Sequence, residues 1–284
     1  MKILAIGDFH GKFPQKLKNK IKKEEVDLIL ANGDYTGIDG WRKPLRKVFK
    51  AREKGEDLWI KDVMTKKAYS NLLKKDYAAG KVVLREINKF KVRTFSVFGN
   101  GDWYKVFFND VGKFYENLIR RLKYIKNINR GKGRFKKLKI AGFGGYLDPD
   151  IYFTKKGIKA TGCSPEHLKT RKKRRRQWEK KLRQLMKNKP EILLIHYTPY
   201  RCFDKMKEKG LPLTGSYVGV SFYNRAIKKY KPALVVCGHM HENPGKCKIG
   251  SSLVINPGAA KEGKAAIIEF DEKRGKVKSV EFIK

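Results

Sequence analysis

Five apolar runs along the chain end in the same kind of polar cassette. Ile3 to Ile6 leads into Asp8 and His10, Leu28 to Leu30 into Asn32-Gly33-Asp34, and Phe95 to Phe98 into Gly99-Asn100-Gly101-Asp102. Ile192 to Ile195 leads into His196, and Leu234 to Val236 into Gly238-His239-Met240-His241. Each run is short and rich in β-branched or aromatic residues, which predicts strands buried in an α/β sheet. Lys-rich, helix-periodic stretches separate most of the runs. Lys12 to Glu25 and Leu58 to Phe90 read as helices, the second from apolar positions such as Leu72, Leu73, Tyr77 and Val83. Leu138-Lys139-Ile140 reads as a further strand, closed by Gly142 to Gly145. Beyond Gly245, the segments Lys246 to Ile255, Ala265 to Phe270 and Val277 to Ile283 predict an antiparallel finish to the sheet. No internal repeat is visible.

Polar residues gathered just past the carboxyl ends of successive strands mark the place where open α/β sheets build their sites. Glycines 7, 33, 99 and 238 suit the tight strand-to-loop turns that such a site needs. The chain has only five histidines, and four of them fall in these cassettes. Neutral imidazole is the commonest metal ligand among side chains, so this placement points to a metal site. A lone Asp-x-His pair is more often a turn cap, and a lone Asn after Gly a turn residue; the recurrence argues otherwise. The fifth histidine, His167 in Ser164-Pro165-Glu166-His167, reads as a surface residue at a helix start.

Length and composition set the frame. The 284 residues fit one large α/β domain, 1–284, with a basic helical insertion at about 160–189. The longest apolar stretches are far too short to cross a bilayer, and Asp8 interrupts the first run before a signal-peptide core forms, which predicts a soluble, cytoplasmic protein. Cysteines 163, 202, 237 and 247 show no CxxC pairing and are expected to be reduced, Cys237 as a core thiol. The 68 Lys and Arg against 28 Asp and Glu give a formal charge of +40, beyond what solubility requires. A Lys-favouring genome does not explain so few acids, and heat adaptation enriches Glu together with Lys. A polyanionic partner, RNA or DNA, is the natural inference.

Leu168 to Lys189 concentrates this charge, with twelve basic residues and one acidic. Trp178, Leu182, Leu185 and Met186 recur at helical spacing, so the second half of the segment predicts an amphipathic helix docked on the body. Arg171, Lys172, Lys173, Arg174, Arg175 and Arg176 contain no apolar residue. The run is either a solvated face or a phosphate-gripping surface near the edge of the site. Trp103, Tyr104 and Tyr197 follow candidate ligands directly and are candidates to stack on a base.

Asp8-x-His10, Gly33-Asp34, Gly99-Asn100, His196 and Gly238-His239-x-His241, in that order and each after a strand-like run, resemble the signature of the calcineurin-like metallophosphoesterases. Asn256-Pro257-Gly258 resembles a loop that these proteins carry near the end of the fold. The resemblance implies a four-layer αββα sandwich, in which two mixed sheets pack together with helices outside. It also implies a centre of two divalent metals, with Asp8, His10 and His241 on one, Asn100, His196 and His239 on the other, and Asp34 bridging both. Mixed imidazole and carboxylate donors select Mn, Fe or Zn over Mg or Ca. Such a pair activates a shared water for in-line attack on a phosphoester.

One position departs from the family pattern. The family usually reads Gly-Asn-His followed by Asp or Glu, with the His protonating the leaving group and the acid orienting it; here the sequence is Gly99-Asn100-Gly101-Asp102. With the proton donor gone, Asp34, Asn100 and Asp102 are the catalytic candidates that remain, and Asp102 beside two cations would be ionised. Losing a general acid costs on the order of 10²–10⁴ in rate, most for poor leaving groups. The expectation is therefore a phosphodiesterase acting on a nucleic acid or nucleotide. The alternative is a non-catalytic nucleic-acid or protein-binding module on the same scaffold, as in the retromer subunit of this fold.

Overall fold

The structure is a computed structural model that describes residues 1–284 apart from Gly55, Asp57, Trp59 and 103–112. Two mixed six-stranded sheets lie face to face, flanked by helices. The first sheet has the order β12-β11-β1-β2-β3-β4, made of Lys276–Ile283, Ala265–Asp271, Lys2–Ile6, Leu28–Ala31, Thr94–Ser96 and Ile125–Asn127. The second has the order β5-β6-β7-β8-β10-β9, made of Gly131–Phe135, Leu138–Phe143, Ile192–Ile195, Leu234–Val236, Ser252–Asn256 and Gly245–Ile249. In the first sheet β1 to β4 run parallel and the β11–β12 hairpin adds antiparallel strands at one edge only, whereas in the second a parallel centre is bordered by an antiparallel strand at each edge.

Strand alternation explains the unbroken apolar runs. Ile3, Ala5, Leu28, Leu30, Ile192, Leu194, Leu234 and Val236 point into the core between the sheets. Their neighbours point outward to helices. Leu4, Ile6, Ile29 and Ala31 meet α1 (Gln15–Lys23), α3 (Lys66–Asn88) and α4 (Lys113–Arg120), through Leu17, Ile21, Leu84, Ile87 and Ile119. Leu193, Ile195 and Val235 meet α6 (Pro165–Met186) and α7 (Ser221–Tyr230), through Trp178, Leu182, Met186, Phe222 and Ile227. A strand covered on both faces has no position for a polar side chain, so it reads as continuously hydrophobic.

Local chemistry places the helix ends. Thr65 Oγ1 caps α3 by accepting from the Ala68 amide, and Ser164 Oγ caps α6 by accepting from His167 N, with Pro165 in the first turn. His167 is exposed at that helix start, as its sequence context predicts. Two further helices among the described residues, α2 (Arg42–Glu53) and α5 (Lys155–Thr161), are, like α7, not singled out by the apolar periodicity.

Two expectations are corrected. The C-terminal segments do not finish one antiparallel sheet. β11 and β12 form a hairpin at the edge of the first sheet, while β10 runs parallel to β8 in the second and pairs antiparallel with β9. The thiols also differ from expectation: Cys202 and Cys247, with Cα atoms 6.5 Å apart, form a disulfide, and Cys163 and Cys237 are buried and free. The pair joins a loop to a strand 45 residues away, a proximity that only the tertiary fold creates. No described helix is long and apolar enough to cross a membrane.

Leu194 is fully buried between the sheets. Leu194→Ala should destabilise the protein by roughly 2–5 kcal/mol, read as a lower urea midpoint with an unchanged slope.

Candidate metal centre

The five cassettes converge at the carboxyl ends of β1, β2, β3, β7 and β8, across the seam where the two sheets meet. Backbone bonds between adjacent loops hold them in register: Asp8 N donates to Gly33 O (2.9 Å), His10 N to Asp34 O (2.8 Å) and Gly11 N to Tyr35 O (2.9 Å). The second sheet is tied in by Asn32, whose Nδ2 donates to Cys237 O, and by His239 N, which donates to Asp8 Oδ2 (3.0 Å). Asp8, His10, Asp34 and His239 all adopt left-handed backbone, with φ of 53°, 45°, 56° and 70°. Four non-glycine residues in that region at one site point to local strain held by the surrounding fold. Close approach explains two glycines. A Cβ on Gly99 would lie 1.9 Å from Asp34 Oδ1, and one on Gly238 would lie 2.6 Å from Asp8 Oδ2.

Two groups of donors result among the described residues. Asp8, His10, Asp34 and His241 form one and Asp34, His196 and His239 the other, with the donor atoms of each group within 4.8 Å of one another. Asp34 belongs to both. His10 Nε2 and His241 Nε2 stand 2.8 Å apart, His241 Nε2 is 3.5 Å from Asp8 Oδ1, and His196 Nε2 is 3.5 Å from Asp34 Oδ2. Asn100 joins the second group, its Oδ1 lying 2.9 Å from His196 Nε2. The seven sequence candidates for metal ligation are thus brought to one place.

Protonation favours a cation at this position. Burial holds the His10 imidazole down to about 4 and that of His239 down to about 3, so both are neutral and carry a free lone pair at neutral pH. Burial opposes ionisation of Asp8 and Asp34, but the facing imidazoles, His241 first for Asp8 and His196 first for Asp34, overcome it and keep both carboxyls below the usual range. Burial likewise opposes charge on His241, and the Asp8 carboxylate outweighs it, raising that imidazole. Two buried carboxylates and four converging imidazoles are costly to assemble without a divalent ion and well matched to one.

Asn32 escaped notice as a functional residue because its contacts are remote in sequence. Its carbonyl accepts from His196 Nδ1 (2.9 Å), 164 residues away, which leaves His196 Nε2 as the nitrogen with the lone pair. Asp102 occupies a different place from the one its sequence position suggests. Its Oδ2 accepts from the amides of Asp34 and Gly99 (2.8 Å each), and its Oδ1 from Tyr35 N (2.7 Å), Thr36 N (3.1 Å) and Thr36 Oγ1 (3.2 Å). Burial and the neighbouring Asp34 push its carboxyl up to about 6. It lies beneath the loop and sets the position of Asp34, so it is a positioning residue, not a proton donor.

The basic run is also redistributed. Arg174 pairs with the fully buried Asp148 (Nη2 to Oδ2, 2.6 Å), Arg175 with Asp150 and Ser221, and Arg171 donates to Thr161 Oγ1 (3.1 Å). These three guanidiniums turn inward to fasten α6 to the loop after β6, leaving Lys172, Lys173 and Arg176 exposed. Helical geometry splits a run that looks uniform on paper. Tyr197 is buried with its ring 4.2 Å from that of His239, so it is closed to a base; Trp103 and Tyr104 lie outside the described residues.

Residues 1–280 match the family described as metallophosphoesterase, calcineurin superfamily. The uncharacterized protein MJ1162 of Methanocaldococcus jannaschii is 23% identical over 261 residues, covering 90% of this chain and 88% of its own. Protein TT1561 of Thermus thermophilus has a crystal structure that superposes with a TM-score of 0.57 at 18% identity, covering 99% of this chain and 97% of its own. A dimetal phosphatase from Danio rerio superposes with a TM-score of 0.53 at 10% identity, over 96% and 93% of the two chains. These structural likenesses extend the agreement in fold.

Asp102→Asn would set an amide donor against the backbone amides that the carboxylate now accepts. The substitution should weaken Zn²⁺ or Mn²⁺ binding by about 10–100-fold, measured by isothermal titration of the purified protein.

Proposed function

The chain belongs to the calcineurin superfamily of metallophosphoesterases, and from that membership we propose that it is a phosphodiesterase that holds two divalent transition-metal ions and acts on a nucleic acid or nucleotide. The observation that carries this reading is the Asp34 carboxylate, shared by two donor groups whose other members are suited to Mn, Fe or Zn. Divalent cations held there supply Lewis acidity for activating water and positive charge for a phosphoryl group. The chain's own residues orient the donors. Asn32 sets the His196 tautomer, Asp102 fixes the loop that presents Asp34, and Gly101 N donates to Asp34 Oδ1 (2.9 Å).

Gly101 supports a diester over a monoester. A side chain at this position would be the family's proton donor, and glycine supplies none. Space is not the obstacle, since an added Cβ would stand 3.4 Å from Asp34 Oδ1, an ordinary contact. Esters whose leaving group needs little protonation fit such a centre best. The charge of +40 supports a polyanionic substrate, with Lys172, Lys173 and Arg176 as the members of the basic run free to meet it.

Protein loaded with Mn²⁺ should hydrolyse bis-p-nitrophenyl phosphate faster than p-nitrophenyl phosphate, and Asp34→Ala should abolish both activities. Turnover of neither ester by metal-replete protein would refute the enzyme reading. Gly101→His should accelerate hydrolysis of an alkyl phosphodiester relative to the bis-p-nitrophenyl ester, by up to about 10²–10⁴. Equal factors on the two esters would show that position 101 does not face the leaving group.

A further inference from the structure

A cleft of about 370 Å³ borders the chain just past His241, its lining including Arg201, Phe203, Lys205, Tyr217, Glu242 and Asn243. Its walls are continuous with the site: Glu242 and Asn243 follow His241 directly, and Arg201 lies in the loop that begins at His196. Tyr217 is 39% exposed, and among the described residues only Val82 is another large apolar side chain so open to solvent. The ring of Tyr217 lies 6.1 Å from that of Tyr200, and the Arg201 guanidinium stands 5.5 Å from the first and 5.7 Å from the second. No carboxylate pairs with Arg201 or Lys205 among the described residues.

The loop that carries this group is held from several directions. The Cys202–Cys247 disulfide ties it to β9, and Asn243 Nδ2 donates to Phe203 O and Lys205 O at 2.8 Å each. Asp204, 1% exposed, accepts from Gly219 N (2.9 Å), and Asn224 exchanges two 2.9 Å bonds with the backbone of Tyr200. Arg201 and Phe203 both adopt left-handed backbone, with φ of 56° and 68°. Two strained residues on either side of a pinned cysteine are a costly way to build a plain connection. They present a surface of two rings and one guanidinium on the loop that leads away from His196.

We propose that Tyr200, Arg201 and Tyr217 form a stacking subsite that takes an unpaired nucleobase of single-stranded nucleic acid whose phosphate lies at the metal centre. Aromatic rings and guanidinium planes accept any base by its π-face, whereas the bases of a duplex are not open to them. Unpaired cations in the same cleft meet the flanking backbone. The inference rests on the phosphodiesterase reading, and it adds a class of substrate and the residues that select it.

The test is fluorescence anisotropy with a labelled single-stranded decanucleotide, alongside inorganic polyphosphate as a competitor that has charge but no base. Tyr217→Ala should weaken oligonucleotide binding by about five- to a hundred-fold while polyphosphate competes as before, and Tyr217→Phe, which keeps the ring, should bind like the wild type. Wild-type oligonucleotide affinity in Tyr217→Ala would overturn the subsite, as would equal loss of oligonucleotide and polyphosphate binding in both variants. Hydrolysis of bis-p-nitrophenyl phosphate by the wild type is read separately. Its absence refutes the phosphodiesterase reading, whereas failure of the stacking result with turnover intact refutes only the subsite.

Discussion

Side chains alternate across β1, β2, β7 and β8 so that each strand is buried on both faces, and no polar side chain finds room until the chain passes a strand's carboxyl end. Chemistry is thereby confined to one edge of the sandwich. There the cost of burying charge is met by mutual pairing: Asp8 with His241, Asp34 with His196 and His10, and Asp102 with four backbone amides and a hydroxyl. Removing one member leaves another buried and unmatched, so these groups act as a unit whose geometry is set by packing some distance from the donors.

The strands and the ligand cassettes were legible in the sequence because both depend on local pattern. An apolar run closed by Asp, Asn, Gly or His identifies a strand and its polar end together, and Ile3 to His10 or Leu234 to His241 needs no knowledge of the partner strands. Contacts made across the fold left no such mark. Asn32 looks like a turn residue until His196 is brought against its carbonyl, and Cys202 finds Cys247 only once β9 is in place. Asp102 shows the other limit. Its position beside Asn100 makes it a catalytic candidate on sequence alone, while its direction, beneath the loop, is decided by four amides that converge on it from two chain segments.

Charge was legible in amount and not in arrangement. Arg171, Arg174 and Arg175 share a helix face with Trp178 and serve cohesion, each placed over aromatic rings such as Tyr152, Tyr146 and Phe153 as well as beside Asp148 or Asp150. Only the three-dimensional phase of the helix separates them from Lys172, Lys173 and Arg176. The loop 200–205 presents the opposite case: its sequence carries little signal, and its interest arises from strain and from what it stands next to.

The left-handed backbone at Asp8, His10, Asp34 and His239 bears on how such a centre can be varied or moved. Asp, Asn and His are the side chains that enter this region most readily after glycine, and they are also the oxygen and nitrogen donors that divalent ions accept. Backbone and coordination chemistry therefore draw on the same short alphabet. A protein engineer who grafted only the donor side chains onto another α/β sheet would not recover the centre, since the loops fix the donor directions. The transferable unit is the loop with its glycines and the Asp102 carboxylate beneath it.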